Sequence, residues 1–370
     1  MPTNVQRAFV DLIARALPDD EFYYACVPDA TIAAQLLTCS GTPFREAEIT
    51  VDGKPAGVVP MFPRLTEGGI DPRMWLPIPA LTALNLLPYR VDITPFAGLL
   101  SNGTPHEIGI RVADAVAFNL NGAVLLFLDH GSSHVTGGLV LDTLGDPNPV
   151  SSQSVSTSDG TTTGTFTVRS ARSFRIKGFV NTSHGRVDTE VAQHVELENL
   201  QTVRIAGPAF DQSVKQRSTV RSSTTITGPD GERRGDDART TISQEVEFPL
   251  DLQLRSTFNP DGSLTQTATV AQQSNRSTAA RRGDHDDDGR SSFEVTRTSV
   301  NSQDTVFFSP SFAVVGNQGQ LSSQSYFTKS SEGGCFSRQI SAANALLASV
   351  KDGKGCRRDD DDDERDGRDE

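Results

Sequence analysis

Alternation of apolar and polar positions runs through most of the chain. Ala47, Ile49 and Val51 alternate with Glu46, Glu48 and Thr50, and the run closes on Asp52-Gly53-Lys54 before Val58-Val59 and Met61-Phe62 return. This pattern predicts a half-buried strand, a tight turn and a second strand, together a β-hairpin. Residues 107–111 and 123–128 are predicted as further strands, the second a continuous apolar run suited to the centre of a sandwich. Beyond residue 164, segments 165–168, 174–176, 187–196, 247–252, 264–270 and 293–298 mostly alternate, which predicts antiparallel sheets with one wet face each. One segment reads the other way. In residues 5–17, Val5, Ala8, Phe9, Leu12, Ile13, Ala16 and Leu17 share one helical face, so periodicity alone predicts an amphipathic helix.

Between these strands, residues 67–100 hold the only tryptophan, Trp75, between Gly68-Gly69 and a series of prolines, Pro72, Pro77, Pro79, Pro88 and Pro95. Proline at that density forbids a long helix and predicts a loop-rich platform. The organisation expected is a β-rich unit over 1–145, a linker over 146–164 rich in Asp, Pro, Ser, Thr and Gly, and a second β-rich unit over 165–356. Two charged inserts, 228–239 and 278–292, are expected to be mobile, and the acidic tail 357–370 to be disordered.

Composition narrows the partners. The chain has 370 residues, enough for two domains with real cores, and only 6% aromatic residues. A net charge of -13 argues against nucleic acid, which requires a basic face. No apolar run reaches the length of a membrane span, and the N-terminus reads without a secretory signal. Of the three ways to join Cys26, Cys39, Cys335 and Cys356, the simplest is Cys26 with Cys39 and Cys335 with Cys356, in an oxidising compartment. Asn102, Asn181 and Asn275 each begin a glycosylation sequon.

Several short motifs carry a family resemblance. They are Asp20-Glu21-Phe22-Tyr23-Tyr24, Phe44-Arg45-Glu46 with Asp52-Gly53, the stretch from Gly68 to Ile78, and Pro88-Tyr89 with Asp92-Ile93-Thr94-Pro95-Phe96. Pro105-His106-Glu107, Phe127-Leu128-Asp129-His130-Gly131-Ser132-Ser133 and Gly333-Gly334-Cys335-Phe336 follow in the same order. Together they cover most of residues 4–356 and resemble the peptide-N-glycosidase A family, the amidases that release N-linked glycans from asparagine. An upstream Gln-Phe-Asp-Arg-like strand and a Glu-x-x-Arg-x-Ser/Thr-Thr element of that family have no counterpart here, so the chain resembles the family without its front end. The resemblance implies that residues 5–17 are a strand. It also fits the expected fold class: all-β, with two antiparallel, jelly-roll-like β-sandwiches.

What the resemblance implies chemically is hydrolysis of an amide whose nitrogen bears a sugar. That reaction needs a carboxylate to activate water, an acid to assist the leaving nitrogen, and donors for the oxyanion. The expected catalytic residues are Glu21, Glu46, Asp92 and Asp129, each of which reads equally as a solvated turn or strand-edge acid. Asp71 is set apart because family members often have Asn there. Crowding of Glu21 by Asp19 and Asp20 is expected to favour a proton in mild acid. Trp75, Tyr23 and Tyr24 are expected to meet a sugar ring, or else to be core, and Arg45 and Arg73 to hold a carboxylate, or else to lie on the surface.

His130 and His134 lack a third ligand, so neither metal nor other cofactor is expected. Residues 284–289 match half of a calcium loop without its closing Glu, and read better as a solvated acidic insert. The function expected is a glycan-releasing amidase acting on N-glycosylated peptides as a monomer, from a secreted, vacuolar or lumenal parent. The alternatives are a β-sandwich that binds N-glycan without cleaving it, or an inactive fragment. The enzymatic reading requires the four acids to converge on one sugar-sized hollow beside the indole.

Overall fold

The computed structural model describes residues 1–65, 68–81, 87–229, 237–283, 291–353 and 356. The calcium-like loop 284–289, the centres of both charged inserts and the tail 357–370 lie outside the described residues.

Residues 5–17 form a strand. β1 (Val5–Ala16) lies between β4 (Tyr89–Asp92) and β6 (Phe118–Leu128) in an antiparallel sheet. Its apolar residues serve both periods, since Ala8, Val10, Leu12 and Ala14 are buried on one side of the strand, while Ala8 and Leu12 also belong to the helical face. Partners on both edges decide between the two, because each supplies backbone hydrogen bonds that a lone helix does not need. The predicted hairpin is β2 (Glu46–Val51) with β3 (Lys54–Pro60), and β5 (Ile108–Val112) pairs on the other side of β2.

Most of the remaining chain is one antiparallel meander. β9 (Thr161–Thr182), β10 (Gly185–Ala206), β11 (Ala209–Pro229), β12 (Asp237–Phe258), β13 (Leu264–Arg282), β14 (Ser291–Phe308), β15 (Val314–Ser330), β16 (Cys335–Ala343) and β17 (Leu346–Asp352) pair in chain order. The outer edge of β9 is shared end to end by β7 (Thr136–Asp142) and β8 (Val150–Ser158). A strand of 22 residues such as β10 is about 75 Å long at ordinary strand rise. All-β antiparallel architecture is thus what the patterning predicts. The expected linker differs, because β8 occupies much of it and β7, from before it, pairs with β9 beyond it. The flanks of both inserts are strand as well: β11 reaches Pro229 and β13 reaches Arg282.

The inner face of this long sheet lies against the N-terminal segments. One apolar cluster runs from Val10, Ile49 and Trp75 through Phe96 to Ile176, Val214, Leu250 and Val300. Contact is closest where the turn Thr94–Phe96 meets β9. A Cβ on Gly178 would fall 1.9 Å from the Pro95 carbonyl oxygen, so only glycine admits this approach.

Irregular segments laid on a sheet leave backbone carbonyls that need donors. The sheet supplies them as inward carboxamides. Asn199 donates to the Tyr24 carbonyl at 2.9 Å, Gln201 to Cys26 at 2.8 Å, and Gln212 to Ala25 at 3.0 Å. Further along, Gln266 donates to Ile70 and Gln320 to Leu76, both at 2.7 Å, and Gln272 donates to Pro63. Asn199, Gln201, Gln212 and Gln216 also bond one another in an unbroken chain.

Candidate active site

The four acids expected to converge are held apart by different anchors. Glu46, 3% exposed, pairs with Arg172 on β9; burial raises its pKa, which the Arg172 charge partly opposes. Asp129 closes the end of β6 by accepting from Gly131 N at 2.9 Å, Ser183 Oγ at 2.7 Å and Ser183 N at 2.6 Å. Bonds from the Ser183 hydroxyl and backbone, the largest causes, hold its pKa below the usual carboxyl range. Asp92 accepts from Thr94 N at 3.0 Å and Thr224 Oγ1 at 3.1 Å.

Glu21 is half-buried at the end of a 3-10 turn, Pro18–Asp20. Its neighbour Asp20 faces inward, 2% exposed, accepting from Arg45 and from the Val116 and Ala117 amides. The crowded acidic turn expected there is thus divided, with Asp20 paired to a cation.

The aromatic candidates and Arg45 are interior, whereas Arg73 is half-buried. Tyr23 is 1% exposed and donates its hydroxyl to the Met61 carbonyl at 2.9 Å, while Tyr24 and Trp75 are both fully enclosed. Arg45 donates to Asp20, to the Thr42 carbonyl at 2.9 Å and to the Phe44 carbonyl at 2.7 Å, and its guanidinium lies 5.5 Å from the Tyr23 ring centre. No face of these rings is open to a sugar in this arrangement. Trp75 takes φ +73°, a region bulky residues rarely adopt, and its backbone N–H reaches Ser302 Oγ on β14 at 3.2 Å. Through the strand registers, Ser302 lies five strands across and six residues along from Arg172, so the anchors of Trp75 and Glu46 are about 30 Å apart.

The tryptophan loop nevertheless encloses a charged cluster around Asp71, whose partner Asp304 has no signal in the sequence. Asp71 is 0% exposed and Asp304, on β14, is 1% exposed. Asp71 Oδ1 accepts from Arg73 N at 2.7 Å, whereas Asp304 takes Asn317 Nδ2 at 3.2 Å and Thr305 N at 2.8 Å. Among the described residues, Asp71 Oδ2, Arg73 Nε and Trp75 Nε1 are buried without a hydrogen-bond partner. Burial, then the facing Asp304 charge, pushes the Asp71 carboxyl up to about 6, against an opposing backbone bond and the Arg73 charge. Such a pair can keep a proton in mild acid, but it is sealed from solvent. The proline-rich neighbourhood of Asp71 marked it in sequence; Asp304 stands 233 positions later in an ordinary alternating strand, with no signal beside it.

One predicted acid does face a cavity. Where the outward side of the β1 sheet meets the overhanging inner face of the long sheet, Asp92 lines a cleft of about 220 Å³ with Arg7, Phe9 and Arg90. Gln193, Ser222, Thr224 and Gln244 form the opposite wall, and a second hollow of about 140 Å³ continues past Arg90, Gln193 and Gln244. The guanidinium of Arg7 lies 5.1 Å from the Phe9 ring centre. Arg90 is held by both oxygens of Asp11, each at 2.7 Å. An aromatic edge, two guanidinium groups, a carboxylate, hydroxyls and carboxamides make a surface able to bond sugar hydroxyls and an amide.

Both disulfides join the cysteines in the simplest pairing, Cys26 with Cys39 and Cys335 with Cys356. The sequons differ. Asn102 is exposed in a turn, its Oδ1 accepting from Thr104 N at 2.8 Å and Thr104 Oγ1 at 2.6 Å. In Asn181 and Asn275 the amide nitrogen already donates, to Thr136 Oγ1 at 2.9 Å and Glu247 Oε2 at 3.2 Å. Among the described residues, no helix is long and apolar enough to cross a membrane.

Comparison with known proteins completes the picture. Residues 1–160 match the family described as peptide N-acetyl-beta-D-glucosaminyl asparaginase amidase A. This region resembles peptide-N-glycosidase A. Over 204 residues the chain is 33% identical to the peptide-N4-(N-acetyl-beta-glucosaminyl)asparagine amidase A of Prunus dulcis. That alignment covers 54% of this chain and 35% of the relative, so the chain spans about a third of the length of the amidase A it matches. No solved structure matches significantly. The matched region contains Asp71, Arg73, Trp75 and Asp92, whereas Asp304, Thr224 and Gln244 come from the long sheet beyond residue 160.

Proposed function

We propose that the chain is a glycan-releasing amidase, hydrolysing the bond between an asparagine side chain and the innermost sugar of an N-linked glycan and leaving aspartate. The observation that carries this reading is the similarity of residues 1–160 to peptide-N-glycosidase A together with 33% identity to a relative named as that amidase. In this reading the glycosylated asparagine enters the cleft beside Asp92. The Asp92 carboxylate orients the attacking water, and Arg7 and Arg90 offer charge to the oxygen on which negative charge develops. Glu46 and Asp129 keep the cleft's supports in place through the bonds described above, and Trp75, Tyr23, Tyr24 and Arg45 do so from the core. The two disulfides suit an oxidising compartment, and we assign the protein to a secreted or vacuolar setting with a glycan on Asn102.

Incubation of the whole chain with an N-glycopeptide in mild acid tests the reading by mass spectrometry. Loss of the glycan with conversion of Asn to Asp is the expected result, and Asp92→Asn is expected to slow it by about a hundredfold or more. A second reading, glycan binding without cleavage, is favoured by one observation: the four expected acids do not meet. Retention of glycopeptide without conversion selects that reading and rejects the amidase.

A further inference from the structure

The outward face of the long sheet carries a trough of about 860 Å³ across β9 to β14, on the opposite side of the sheet from the N-terminal core. Its floor is a row of small residues in register, Ala192, Ser223, Ser243 and Ala279. The neighbouring row places Ser173 directly opposite His194. Ser173 Oγ lies 2.7 Å from His194 Nδ1, and His194 Nε2 lies 2.8 Å from Glu196 Oε1.

The carboxylate decides the tautomer. Nε2 carries the hydrogen donated to Glu196, which leaves the Nδ1 lone pair to accept from the Ser173 hydroxyl. That is a nucleophile, a base and an acid that orients the base, recognised by roles and distances rather than by sequence order. Glu196 is kept ionised chiefly by the His194 bond, and Arg221 lies 3.9 Å from its other oxygen. Arg175, two positions from Ser173 on the same side of β9, also lines the trough, while Phe293 and Val295 stand at its far wall, five strands or about 24 Å from Ser173, so the serine itself is flanked by the small-residue floor that starts at Ala192.

We propose that Ser173, His194 and Glu196 form a second hydrolytic site, for carboxylic esters with a short acyl group. The Ser173 oxygen bonds to the ester carbonyl carbon as its proton passes to His194 Nδ1. The negative charge gathering on the carbonyl oxygen faces Arg175. The bond to the alcohol oxygen then breaks, and the alcohol leaves with the proton from His194. Water, activated by the same nitrogen, hydrolyses the acyl-serine to the free acid and restores the hydroxyl. Glu196 is a positioning residue: it holds the ring and stabilises the imidazolium.

The test uses the whole chain, p-nitrophenyl butyrate and a fluorophosphonate probe. The probe is expected to label Ser173, located by peptide mapping, and Ser173→Ala and His194→Ala are each expected to lower turnover about a thousandfold. Glu196→Gln is expected to lower kcat about tenfold or more with KM unchanged, and Glu196→Asp to recover part of that loss, because the ring loses the group that orients it. All three side chains lie on the outward face, so circular dichroism should match the parent, and glycopeptide cleavage should be unchanged by Ser173→Ala. Hydrolysis that survives Ser173→Ala, labelling confined to another residue, or neither hydrolysis nor labelling overturns the proposal.

Discussion

The two faces of the long sheet are both rich in polar residues, yet they use them differently. On the inner face, Asn199, Gln201, Gln212 and Gln266 donate to carbonyls of loops that have no ladder of their own. On the outer face, ion pairs join neighbouring strands, as in Arg217 with Glu247, Arg221 with Glu245, and Arg169 with Glu198. Removing an inner carboxamide strands groups that water cannot reach, whereas removing an outer charge returns its partner to solvent. Polarity alone therefore does not distinguish a wet face from a structural one. What matters is whether the partner is an irregular backbone.

The sharpest test of this difference is a buried ion pair in the N-terminal unit against an exposed one. Arg45→Ala leaves Asp20 charged and enclosed, and it should destabilise the chain by about 3–5 kcal/mol in denaturant unfolding. Next comes the carboxamide chain. Gln201→Ala unpairs the Cys26 carbonyl and Asn199 Oδ1 and leaves Gln212 Nε2 with only its bond to the Ala25 carbonyl, for an expected loss of about 3 kcal/mol. An effect no larger than that of an outer-face substitution would refute the structural role of these amides.

A pH series probes the sealed carboxyl pair. The folded Asp71 carboxyl, at about 6, holds its proton more tightly than an ordinary one at 3.8. Its stabilisation is complete below about 4 and disappears as pH rises through 6. Asp71→Asn should flatten that fall, seen as a smaller change in unfolding midpoint between pH 4.5 and pH 7. The smallest effect is expected outside: Arg217→Ala should cost less than about 1 kcal/mol, and added salt should reduce it further.

Local sequence determines structure where the physics is local. Alternation in 46–51, the Asp52-Gly53 turn and the proline-rich loop all name their own structure, because strand and turn preferences act over a few residues. Residues 5–17 were ambiguous for the same reason: their apolar positions satisfy two periods, and only β4 and β6 resolve them. Asp92 was named from its motif, but its cleft was not legible, since Thr224 and Gln244 reach it from strands more than 100 positions later.

From sequence alone came the all-β antiparallel class, the cysteine pairing, the family resemblance and a set of acids worth testing. Tertiary structure alone joined the many alternating segments into a single meander and buried Trp75 beneath it. It also brought Asp71 within reach of the charge on Asp304, and set Ser173 against His194. The reason is register: a strand's own residues fix which of them share a face, but which residue stands opposite, two strands away, depends on the length of every intervening turn.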